Sequence, residues 1–137
     1  MKTAVQAGLV ALLAGTTVLA TPAEAATIVQ RTAICKAGGF SGTFTLRYET
    51  DGSYHRILSG YTTSGPYIGD VAGKVSLRIS YRAGSATHTV YSQTAATTGN
   101  TTFTMPSTTA VPTMYAGTAA ATFDNGTSSC TATVPIS

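Results

Sequence analysis

Two histidines, two cysteines and five carboxylates limit the chemistry this 137-residue chain can perform, and it has no tryptophan. His55 and His88 are the candidate general bases, a role that requires a partner within ~3 Å and a route to solvent. Serine is abundant, but no Gly-x-Ser-x-Gly elbow presents a nucleophile. Alternation of apolar and polar residues puts both imidazoles on inward faces, where a neutral ring bonded to its surroundings is the expected role. Asp51, Asp70 and Asp124 sit in turn-forming contexts far apart in the sequence, so they do not read as a calcium loop. Cys35 and Cys130 form no Cys-x-x-Cys pair, and two cysteines alone do not complete a zinc site. No catalytic residue, metal or cofactor is therefore expected.

Side chains suited to binding are better represented. Tyr54, Tyr61, Tyr67 and Tyr91 are the aromatics expected to stay partly exposed, each a flat apolar ring with a polar tip. Arg47, Arg56, Arg78 and Arg82 fall on outward faces. With the hairpin turning at Asp51-Gly52, Arg47 and Arg56 lie directly opposite each other, a like-charge pair that calls for compensation. Together these residues outline a basic, tyrosine-lined surface for a cell-surface polymer, a glycan or a protein. The formal net charge of +3 is too small and too dispersed for a nucleic-acid binder. The stretch 61–70 (YTTSGPYIGD), broken at Gly65-Pro66, is a second candidate: an exposed loop of the kind an inhibitor or toxin presents.

The elements that would position these residues follow an export leader. Lys2 gives a positive start, Ala4 to Ala20 an apolar stretch, and Ala23-Glu24-Ala25 a small-x-small cleavage site. That stretch is shorter than the ~20 residues of a membrane span. Cleavage after Ala25 removes one cation and one anion and leaves 26–137 as a single secreted domain with no membrane span. The alanine, threonine and glycine bias resembles that of exported bacterial proteins. An oxidising compartment makes Cys35–Cys130 a disulfide joining the first and last strands.

Period-two patterning runs through the domain, with turn residues every 8 to 12 positions. Three hairpins are expected: at Asp51-Gly52, within Ala83-Gly84-Ser85, and at Asn125-Gly126. The inward sets are Phe44, Leu46 and Tyr48 with His55, Ile57 and Ser59, then Val75, Leu77, Ile79 and Tyr81 with Ala86, His88 and Val90. Ala119, Ala121 and Phe123 share their face with Cys130, Ala132 and Val134. Opening strands cover 28–36 and another 101–105, while 94–100 and 106–112 read as connections or an edge covering. The chain resembles a small secreted immunoglobulin-like domain: an all-β antiparallel sandwich of seven to nine strands, with a Greek-key β-barrel as the alternative. The expected function is a secreted, non-catalytic binding or cell-surface module. An inhibitor or toxin-like protein acting through 61–70 comes second, and a hydrolase last.

Overall fold

The computed structural model describes residues 26–58, 61–64, 73–97 and 99–137. The expected leader, Ser59, Tyr67 and Asp70 lie outside them. Ten strands are present among the described residues: β1 (Thr27–Ala37), β2 (Phe40–Thr50), β3 (Tyr54–Ile57), β4 (Tyr61–Ser64), β5 (Gly73–Ala83), β6 (Ala86–Thr97), β7 (Asn100–Phe103), β8 (Ala110–Pro112), β9 (Ala116–Asp124) and β10 (Ser129–Ile136). They form two antiparallel sheets, as expected of a sandwich, and the count exceeds seven to nine because two lanes of one sheet are interrupted. In that sheet β1 pairs with β2 along its whole length. The other edge of β2 is shared by β3, at Tyr48–Thr50, and β4, at Thr43 and Phe44. β8 continues outward from β3, and β7 from β4. The second sheet runs β10-β9-β5-β6.

Alternation along these strands builds one core between the sheets. Phe44, Leu46, Tyr48 and Ile57 come from the first sheet and Val75, Leu77, Ile79, Ala119, Ala121, Phe123, Ala132, Val134 and Ile136 from the second, all buried. Burying each large aliphatic or aromatic side chain contributes ~1.5–3 kcal/mol. Tyr48 is fully buried with its phenol satisfied: Arg31 Nε donates to it at 3.0 Å, and it donates to the Ser137 main-chain oxygen at 3.1 Å.

Cys35 and Cys130 are bonded, with Cα atoms 5.7 Å apart and a sequence separation of 95. The bridge joins β1 of one sheet to β10 of the other, the first strand to the last. In the chain-entropy picture a loop of that size contributes ~4–5 kcal/mol. Beside it, Gly42 pairs with Cys35 while Phe123 pairs with Cys130. The Phe123 ring rests on the Gly42 backbone so closely that a Cβ there would overlap it.

Three local expectations change. The first hairpin turns at Gly52-Ser53 instead of Asp51-Gly52: the Asp51 amide donates to the Tyr54 carbonyl, and Gly52 takes the positive φ (99°) that a tight turn needs at its first position. The register therefore moves by two residues. Faces are preserved, but Arg56 now lies opposite Glu49, and Arg47 is not its partner. The last hairpin likewise turns one residue later, with the Asn125 amide donating to the Ser128 carbonyl. The third change is a bulge in β6. Ile79 pairs with Tyr91 but Ser80 with Thr89, so Val90 is an extra residue and every position beyond it changes face. Tyr91, expected outward, packs half-buried against the core, and that burial raises its hydroxyl pKa. β6 also continues to Thr97, through residues expected to form a connection.

Candidate functional site

The interrupted lane between β7 and β8 creates a concavity on the outer face of the first sheet. Leaving β7, the chain tucks Met105 into the core, turns over Pro106 to Thr108 and buries Thr109. The Thr109 amide closes that turn on the Pro106 carbonyl (3.0 Å), and the Thr109 carbonyl accepts from the Ile57 amide (2.9 Å). Both ends are thus anchored, and Ser107 and Thr108 stand exposed at the tip. Next to this turn, β3 directs His55 and Ile57 inward and Tyr54 and Arg56 outward. Ala110 pairs with Arg56, and Pro112 with Tyr54. The resulting groove, about 420 Å³, is lined by Tyr54, Arg56, Ser107, Thr108 and Ala110.

Arg56 is held in place. Its Nη1 donates to Glu49 Oε1 at 3.0 Å and its Nη2 to Asp51 Oδ2 at 2.6 Å. Half-exposed ion pairs of this kind add little stability; their effect here is to orient the guanidinium at the groove wall. The Tyr54 amide donates to Asp51 Oδ1 at 3.2 Å, and this bond, seconded by Arg56, lowers the Asp51 pKa. The expected like-charge pair of Arg47 and Arg56 does not form: Arg56 faces a carboxylate, Glu49, directly across the ladder. Glu49 is a charge-compensating residue the sequence already offers, whereas the part of Asp51 emerges only with the register that sets it beside Arg56.

The remaining candidates are dispersed. Arg47 is exposed on the same outer face as Glu49. Arg78 and Arg82 are exposed on β5, facing outward from the second sheet, so the core separates them from Arg47 and Arg56. Arg78 Nε donates to Thr89 Oγ1 at 3.1 Å. Tyr61 lies in β4, paired with Phe103. The first four residues of the 61–70 stretch are therefore strand, not loop, and 65–70 lie outside the described residues.

The histidines differ from each other. His55 is buried as expected; its Nδ1 lies 2.8 Å from Thr50 Oγ1, its ring meets Tyr48 edge-on, and desolvation lowers its pKa. His88 pairs with Tyr81 on β5 but, unlike His55, is exposed. It stacks on Tyr81 at 5.1 Å, and Tyr81 stacks in turn on Tyr115 at 5.4 Å. Among the described residues no three His, Cys, Asp or Glu side chains gather as a metal site, and no helix is long and apolar enough to cross a membrane.

Comparison with known proteins finds no matching family model, curated protein or solved structure.

Proposed function

We propose that this chain is a small exported, non-catalytic binding module that engages its partner through the outer face of the first sheet. The observation that carries the reading is the groove where Tyr54 and a fixed Arg56 meet the hydroxyls of Ser107 and Thr108. A rigid sheet supplies the platform and an anchored turn the wall, which keeps the ordering cost of binding low. The disulfide is consistent with an oxidising compartment, and the leader-like first 25 residues with export to it.

The chemistry of the groove also favours binding over turnover. A general acid at neutral pH needs a raised carboxyl pKa, whereas that of Asp51 is lowered. Arg56 engages Glu49 and Asp51 alike. His55 lies on the inner face of β3, away from the groove.

Retention assays on cell-wall material, immobilised glycans and secreted proteins test the proposal. The oxidised wild-type protein should be retained on one of these surfaces, Tyr54→Ala should lose that retention, and Arg82→Ala on the far sheet should keep it. Retention by both variants would move the site elsewhere, and retention by neither protein on any surface would end the reading.

A further inference from the structure

Resting on that reading, we infer that the groove takes a neutral carbohydrate. Charge is the first argument. Beside the groove Arg47 and Arg56 are balanced by Glu49 and Asp51, and both carboxylates already hold Arg56; Lys36, exposed on the same face, pairs with Ser41 at the opposite end of β1 from the groove. An anionic ligand would meet no excess of cations here and would have to compete with two carboxylates for one guanidinium. Most of the unbalanced positive charge lies on the opposite sheet, where Lys74, Arg78 and Arg82 project from β5 with Asp124 across from Lys74. A polyanion attracted to this molecule would settle there, away from the groove.

Hydrogen-bonding capacity is the second argument. A sugar hydroxyl donates and accepts at once, so its site must offer both functions side by side. The groove does so with the Arg56 guanidinium N–H groups and the Ser107 and Thr108 hydroxyls, which both donate and accept, while Glu49 and Asp51 hold the guanidinium from outside the lining. Tyr54, 48% exposed, supplies the flat apolar surface against which the C–H face of a pyranose packs. Cross-strand pairing with Pro112 braces that ring position.

A peptide fits less well. Extended peptides are captured by adding a strand to a sheet edge. The edge at this groove is β8, three residues long and ending in Pro112, which has no N–H to offer. What the groove presents is side-chain chemistry: one aromatic plane, one oriented cation and a rim of acceptors and hydroxyls, within a volume at the lower end of small-ligand sites.

The test uses the oxidised protein and three sets of soluble probes: neutral oligomers of glucose, mannose and N-acetylglucosamine; the polyanion polygalacturonate; and an extended threonine-rich peptide. Binding is read by amide chemical-shift mapping and by affinity electrophoresis at low and high salt. At least one neutral oligomer should shift the amides of residues 54–56 and 107–110, with an affinity that changes less than about twofold with salt. Tyr54→Ala and Arg56→Gln should each weaken it by roughly tenfold or more, and Tyr54→Phe should retain it. Unchanged thermal midpoints would show that the variants are folded. Binding of polygalacturonate or the peptide at the groove, lost in Tyr54→Ala, would overturn the carbohydrate assignment while preserving the binding-module reading. Failure of every neutral oligomer also overturns the assignment, and the retention assays then decide the broader reading separately.

Discussion

His55 shows how one buried side chain links the fold to pH. Its imidazole is enclosed between Tyr48 and Thr50, and desolvation, only partly opposed by the charge of Asp51, holds its pKa below the ordinary value of 6.5. The unfolded chain then binds more protons than the folded one as pH falls below 6.5, so acid removes stability. Above 6.5 the ring is neutral in both states and its contribution is constant. Denaturant midpoints followed from neutral pH downward should decline from 6.5 until the folded-state value is passed, and His55→Gln should flatten that segment. Asp51, whose pKa is lowered from 3.8 by the Tyr54 amide and Arg56, acts with the same sign in a separate, lower window: its contribution is lost as pH falls below 3.8. A decline that persists unchanged in His55→Gln above that lower window would assign the effect to other groups.

At the scale of strands, packing depends on what occupies the points of closest approach. Gly42 is the narrowest of these. The ring of Phe123 lies where its Cβ would be, next to the disulfide that fixes both partners in place. Gly42→Ala should destabilise by about 1–3 kcal/mol, as overpacking does when the surroundings have little room to relax. Gly39, with open space around it, serves as the control, and its alanine variant should change the urea midpoint little. The strands themselves were legible in the sequence because period two is a direct consequence of pleating: Phe44, Leu46, Tyr48 and Val75, Leu77, Ile79 all face the core as their alternation requires. Turn dipeptides located the hairpins but not their registers, since Asp51-Gly52 and Gly52-Ser53 are both good turns and hydrogen bonding within the loop chooses between them. The bulge at Val90 has no glycine or proline to announce it, and it turns Tyr91 toward the core against the plain alternation of the strand. Ser107 and Thr108 escaped notice for a related reason. They form half of the groove because Met105 and Thr109 on either side are buried, a tertiary fact that a polar, proline-bounded stretch does not reveal.

Considered as a whole, the molecule has two sheets whose outer faces differ in chemistry, one carrying a charge-balanced groove and the other a line of cations on β5. The retention assays compare variants from both faces for that reason. The staple between Cys35 and Cys130 has a mechanical consequence. A module tethered at one end and gripped at the other bears load along its chain, and here the covalent path passes from residue 35 to residue 130 without traversing the sheets. Pulling on the two ends of the oxidised domain can draw out just the short segments before Cys35 and after Cys130, leaving the chain between them, a sequence separation of 95, as hidden length. Stretched under reducing conditions, the same domain should release a further ~320 Å of chain, at about 3.4 Å per residue. Force spectroscopy with and without reductant measures that difference. Pulled at its two ends, the oxidised domain therefore keeps the body that carries the groove folded, because the bridge bears the load.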